Sequence, residues 1–214
     1  MTRSRDARPL VMPPTPSRAP DQGRPDPLAE LGDVVARVRD GDERAFEALF
    51  RAYYGALCGF AVRYVRTSAV AEELVQDLFT ALWARRATWE VRGGSGSVRA
   101  YLFAAVRNRA LNVRTRRAVE RDWEQDEALA DVRALHPTPV AADAALEAAE
   151  LHGRLASAIE SLPERCRLVM QLRWRDQLSY AEIAEVMGIS TKGVENQLSR
   201  GLKALRDRLA PGER

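Results

Sequence analysis

Six polar residues near the end of the chain, Lys192, Glu195, Asn196, Ser199, Arg200 and Lys203, follow one another at steps of one and three. On a helix, such spacing gathers them on one face. Each type has a defined chemistry against a nucleic acid. Asparagine pairs with an adenine edge, arginine with guanine, glutamate accepts from a cytosine amino group, and lysine reaches phosphates or base edges. A helix lying in a major groove offers its N-terminal residues to the bases. Lys192, Glu195, Asn196 and Ser199 are therefore the base-edge candidates, and Arg200 and Lys203 the phosphate contacts. For any one of these charges taken alone, a solvated face on an ordinary helical hairpin is the simpler reading.

No other chemistry competes. There is no metal-ligand cluster, no activated nucleophile pair and no nucleotide-binding loop. Cys58 and Cys166 are far apart in different helical segments, which argues against a disulfide. They and the two histidines, His136 and His152, do not supply the ligand set zinc takes. No metal, no cofactor and no enzymatic activity is expected.

The elements around the polar face explain how it is held. Ser179-Tyr180-Ala181-Glu182 is a capping box, in which serine and glutamate each satisfy a free backbone N–H at a helix start. The helix it opens, Tyr180 to Met187, turns Ile183, Ala184 and Met187 inward and ends at Gly188. Ile189 plugs the turn, and Ser190 or Thr191 caps the next helix. That helix buries Val194, Leu198, Leu202, Leu205 and Leu209. The combination is a helix-turn-helix, and DNA binding is its expected use. A preceding helix opens at Leu162-Pro163-Glu164, since proline suits a first turn. Before it, another runs from about Asp143 to Ser161.

Upstream the periodicity is again helical. Ala45, Phe46, Leu49, Phe50, Tyr53, Leu57 and Phe60 form one apolar stripe. A second helix spans Ser68 to Arg86, with Ser68 as a possible cap and Glu72 and Glu73 in its early turns. After the glycine- and serine-rich loop at 91–97, a third runs from about Val98 to Arg117. Residues 1–27 are rich in arginine and proline and read as a disordered extension without the apolar stretch of a secretory signal. The expected fold is all-α: two small helical domains, 28–120 and 143–210, joined by a flexible acidic linker at 121–142, the C-terminal domain a helix-turn-helix.

Among 214 residues the net charge is only +3 and 46% are hydrophobic. The modest total hides a basic block, Arg107 to Arg121, followed by an acidic run containing Asp122, Glu124, Asp126, Glu127 and Asp131. A basic block suits a polyanion, and an acidic one suits a tether or a basic groove. No apolar run approaches the ~18 residues of a spanning helix, so no membrane insertion and a cytoplasmic location are expected.

The motifs resemble the extracytoplasmic-function (ECF) sigma factors of bacterial RNA polymerase, within the sigma-70 family. The resemblance covers roughly Asp42 to Leu209. In the second domain it rests on Leu162-Pro163-Glu164-Arg165-Cys166-Arg167, Leu178-Ser179-Tyr180-Ala181-Glu182-Ile183-Ala184-Glu185, Gly188-Ile189-Ser190 and Val194 through Leu202. In the first it rests on Ala71 through Phe79 with Leu82-Trp83, on Val98 through Phe103 and on Arg107 through Asn112. Asn112 stands where the family often has aspartate, and the N-terminal extension has no counterpart in the family's minimal form.

The resemblance implies core polymerase and promoter DNA as partners, together with an anti-sigma factor. It implies that Glu73, Gln76, Asp77 and Phe79 dock on the clamp helices of the polymerase largest subunit, with the flap as a further polymerase contact. It implies that the loop Glu90 to Ser97 captures an unstacked base of the −10 element, and that Arg99, Arg107, Asn108, Asn112, Arg114, Arg116 and Arg117 contact the −10 DNA. Ser179, Thr191, Lys192, Glu195, Asn196, Ser199, Arg200 and Lys203 would meet the −35 element. The acidic linker would thread the polymerase cleft. Simpler readings stand beside these: a solvated acidic face over a core of Leu74, Leu78 and Leu82, a plain flexible loop, and a plain tether. The alternative function is a stand-alone helix-turn-helix regulator. A nucleic-acid enzyme is weaker, because no catalytic set is present.

Overall fold

The computed structural model describes residues 33–91, 94–121 and 157–209, with backbone alone at 117–121 and 209. The extension 1–27, the linker beyond Arg121, most of the helix expected from Asp143 and the side chain of Arg117 lie outside the described residues. Every regular element described is helical. In chain order these are α1 (Val34–Arg39), α2 (Glu43–Val65), α3 (Ser68–Ala84), a 3-10 turn (Arg86–Thr88), α4 (Val98–Arg121), α5 (Glu164–Trp174), α6 (Tyr180–Met187) and α7 (Thr191–Leu209). Residues 157–160 are also helical.

α2 starts where the Asp42 carboxylate accepts from the backbone N–H of Arg44 and Ala45, at 3.0 and 3.1 Å. It buries Ala45, Leu49, Tyr53, Leu57, Phe60 and Tyr64, a row at steps of four and three. It ends on Arg66 in the left-handed conformation, φ 64°, whose N–H returns to the Val62 carbonyl. α3 begins at Ser68 itself; Thr67 holds the cap position without a side-chain hydrogen bond, so the serine does not cap it. α3 also stops at Ala84, two residues short of the sequence expectation, where the chain tightens into the 3-10 turn and tucks Trp89 inside. α2, α3 and α4 enclose a core of Leu49, Leu57, Phe60, Val75, Leu102, Phe103 and Val106. Full burial stabilises each such side chain by ~1.5–3 kcal/mol.

The second domain packs α7 across α5 and α6 around Val169, Leu172, Leu178, Ile183, Val186, Val194 and Leu198. Ala184 is only half-buried, and Val186 takes the inward position. Pro163 precedes α5 as its cap residue instead of forming its first turn. Cys166 donates from its thiol to Gln197 Oε1 at 2.8 Å, linking α5 to α7. α7 crosses α5 closely at Gly201, where a Cβ would run into the Met170 sulfur. Glycine in mid-helix leaves room here for the buried Met170 thioether, which a larger residue would have to displace.

Gly201→Val is expected to destabilise the chain by about 2 kcal/mol or more, the sum of overpacking and repacking around Met170. Thermal denaturation measures it, and adding Met170→Ala should recover part of the loss. Equal melting of wild type and Gly201→Val would refute the close crossing.

Candidate nucleic-acid interface

The helix-turn-helix is built from its caps. The Ser179 hydroxyl accepts from the Glu182 N–H at 3.2 Å, and Glu182 Oε2 accepts from the Ser179 N–H at 2.8 Å, completing the capping box. Gly188 ends α6 at φ 64°, and the Ser190 hydroxyl, not Thr191, caps α7 by accepting from the Gly193 N–H at 3.0 Å. Thr191, Lys192, Glu195, Asn196, Ser199, Arg200 and Lys203 are all exposed on α7, opposite buried Val194, Leu198 and Leu205. Lys192 Nζ pairs with Glu195 at 2.7 Å, and both side chains remain wet, so the pair is worth ~0–1 kcal/mol and gives way easily. Ser179 is half-buried, with its hydroxyl already engaged in the cap.

In the first domain, Glu73, Gln76 and Asp77 are exposed on one side of α3. Gln76 donates to the Tyr54 hydroxyl at 3.3 Å. Phe79 departs from its expected place on that surface. It is 3% exposed and packs against Phe46 and Phe50, so it is part of the core. It also floors a groove of about 600 Å³ between α2 and α3, lined by Glu43, Phe46, Phe50, Gln76, Thr80 and Trp83. The sequence reading merged Phe46 and Phe50 into the main stripe. The missed signal is their separate i, i+4 row, one residue over from Ala45 and Leu49.

On α4, Asn108, Asn112, Arg114 and Arg116 are exposed. Arg114 pairs with Glu164 at 2.6 Å. Arg107 is half-buried beside Tyr64, and its Nε is covered. Arg109, which was not among the expected contacts, lines a second cavity of about 230 Å³ with Leu82, Arg85, Trp89, Glu90 and Tyr101. Its Nη1 and the Trp89 indole nitrogen are buried without a hydrogen-bond partner.

Arg99 departs most from expectation. It is 7% exposed and closed onto the second domain, donating from Nε and Nη2 to Glu182 at 3.0 and 2.7 Å. Around it, Ser97 donates from its hydroxyl to Glu182 at 2.6 Å, and Ser95 donates from its N–H and hydroxyl to Glu185 at 3.1 and 2.6 Å. Burial pushes the Glu182 carboxyl up. The hydrogen bonds from Arg99, Ser97 and the Ser179 N–H outweigh it, and the net result lies below the ordinary glutamate value. In this arrangement neither Arg99 nor the serines are free for a nucleic acid.

Comparison with known proteins fits this geometry. The sigma-70 region 2 model matches residues 49–119, and the sigma-70 region 4 model matches residues 152–205. The RNA polymerase sigma-H factor of Pseudomonas aeruginosa is 30% identical over 83% of this chain and 93% of its own length. The ECF RNA polymerase sigma-E factor of Escherichia coli is 31% identical over the same shares. Two solved structures share the fold. CnrH, in complex with the cytosolic domain of CnrY, has a TM-score of 0.54 at 24% identity over 82% of this chain and 94% of that one. The sigma factor RpoE of Bartonella quintana, in complex with the anti-sigma factor NepR, has a TM-score of 0.56 at 24% identity over 77% and 96%. The chain belongs to the sigma-70 family and is an RNA polymerase sigma factor of the ECF type. No helix among the described residues is long and apolar enough to cross a membrane.

The Glu182 site has a pH signature. A carboxylate held below its ordinary pKa contributes stability that is fully present above that ordinary value and is lost as pH falls through the depressed one. Arg99, Ser97 and the Ser179 N–H are the groups that hold it there. Wild type should melt higher than Glu182→Gln at neutral pH, and the gap should shrink as pH falls from about 5 towards 3. A gap unchanged across that range would remove Glu182 as the titrating group.

Proposed function

We propose that the two domains divide promoter recognition and polymerase docking between them. Residues 28–120 hold core polymerase and the −10 element, 143–210 hold the −35 element, and 121–142 join them. The supporting observation is the order of the two family matches together with the outward polar face of α7. On α3, Glu73, Gln76 and Asp77 would meet the clamp helices, with the aromatic groove beside them taking an apolar side chain of the partner. Asn108, Asn112, Arg114, Arg116 and Arg117 would run along the −10 strand, mostly as phosphate contacts. Lys192, Glu195, Asn196 and Ser199 would read −35 base edges, while Thr191, Arg200 and Lys203 hold its backbone. The chain would work in the cytoplasm, where polymerase and DNA are, without catalysis or a cofactor of its own. The solved relatives bound to CnrY and to NepR support an anti-sigma partner for this chain as well.

Size exclusion of the chain mixed with core RNA polymerase tests the docking. A co-eluting complex is expected. Asp77→Lys should weaken it about tenfold or more, because a reversed charge at an interface costs several kcal/mol. Tight duplex binding with no polymerase complex at low salt would replace this reading with a stand-alone regulator.

Promoter recognition is tested by transcription. Lys192→Ala with Asn196→Ala should lower use of a matched −35 element about tenfold, since one good base contact is worth ~1–3 kcal/mol. Equal output from matched and scrambled −35 elements would remove α7 from base reading.

A further inference from the structure

Five aromatic rings form a continuous ladder along one side of the first domain. Trp83 packs on Phe46 at 4.7 Å between ring centroids, Phe46 on Phe79 at 6.0 Å, Phe79 on Phe50 at 4.9 Å and Phe50 on Tyr54 at 4.7 Å. Phe79 is the buried floor, and the other four rings are only half-buried. The groove of about 600 Å³ between α2 and α3 runs over Phe46, Phe50 and Trp83. An apolar patch of this kind with a polar rim marks an interaction site. The rim is acidic. Glu43 lines the groove, and α3, which forms one wall, carries Glu72, Glu73 and Asp77 and no lysine or arginine. The cation beside it, Arg86, lies over the Trp83 ring.

The same chain contains a segment of matching chemistry. Outside the described residues, 1–20 hold one run of three large apolar residues, Leu10-Val11-Met12, set between Pro9 and Pro13-Pro14. Arg3, Arg5 and Arg8 precede it, and Asp6 is the only acid of that stretch. Proline-rich segments favour the polyproline II form, which aromatic-lined grooves take because little entropy is lost on docking. A methionine thioether adds favourable contact with aromatic rings. The lengths agree. Phe46 to Tyr54 covers ~12 Å along α2 at the rise of a helix, and about four residues of polyproline II cover the same distance. From Pro14 to Asp33 the chain can extend to about 60 Å, well beyond the ~35 Å length of α2, so the tether reaches.

We propose that Leu10 to Pro14 seat in the aromatic groove of the same chain, with Arg3, Arg5 and Arg8 against the acids of α3, and hold it until core polymerase displaces them. The last clause rests on the proposed docking of polymerase on α3. The tether makes a weak contact sufficient. A short flexible linker supplies an effective concentration on the order of 1 mM, so a segment with a dissociation constant of that order as a free peptide occupies the groove about half the time. The apparent affinity for polymerase falls with the fraction of chains whose groove is covered.

The test is methionine-methyl NMR of the full chain, with the Met12 resonance assigned by Met12→Leu. Ring currents of the ladder should shift the Met12 methyl upfield of its position in a synthetic peptide of residues 1–20. Thr80→Arg places a cation in the groove wall at an exposed position and leaves the core alone; it should return the methyl to its peptide position. A wild-type methyl at the peptide position overturns the docking. A shift that survives Thr80→Arg overturns the groove as its seat, and a shift that grows with protein concentration gives the groove to the segment of a second copy instead. Polymerase binding is read separately with Leu10→Ser, Val11→Ser and Met12→Ser combined, expected to bind core polymerase several-fold more tightly than wild type. Equal affinity overturns the displacement. No complex with either chain overturns the polymerase docking on α3 and the displacement with it, while the methyl shift still reports the seated segment.

Discussion

One carboxylate, that of Glu182, holds the arrangement together. A glutamate carboxylate offers about four acceptor positions, and all four are taken. Oε1 accepts from the Ser97 hydroxyl and Arg99 Nε, and Oε2 from Arg99 Nη2 and the Ser179 N–H. A buried charge is tolerated only when paired and hydrogen-bonded in this way. The same side chain thus closes the start of α6 and fastens α6 to α4. Local helix geometry and long-range domain placement depend on one group. Loss of its charge would act on both at once.

The consequence is an asymmetry between the two candidate DNA-binding surfaces. α6 gives its acidic side to the first domain, while α7 is carried on the far side with its polar face outward. The polar face of α7 is therefore open. The donors of Ser95, Ser97 and Arg99 are engaged inside the molecule instead. The electrostatics are graded in the same sense. The Lys192–Glu195 pair on α7 is wet and weak, whereas Arg99–Glu182 and Arg63–Asp176 are dry.

Much of the fold was legible because it is local. The Ser179 and Glu182 box, Gly188 and the rows of α2 and α7 are set by neighbours three or four residues apart, which is the distance sequence patterns report. α1 escaped notice because six residues are too few to establish a period. Phe79 faces inward, which motif position alone does not tell, because its partners, Phe46 and Phe50, are on another helix. Arg99 was read as a strand contact because nothing near it in sequence marks its partner, 83 residues away. Ion pairs between domains leave no periodic trace. The capping-box glutamate already had a sufficient local explanation, so its second role was hidden behind the first.

Two surfaces that hold one DNA, as proposed for α4 and α7, gain from acting together. Two modest grips on one DNA, joined by a tether, bind far more tightly than either alone, because the second engages at the effective concentration that the tether sets. That gain is lost when geometry forbids simultaneous engagement. The placement of the two domains therefore matters as much as the contacts of either, and Glu182, which joins α6 to α4 while capping α6, bears on that placement.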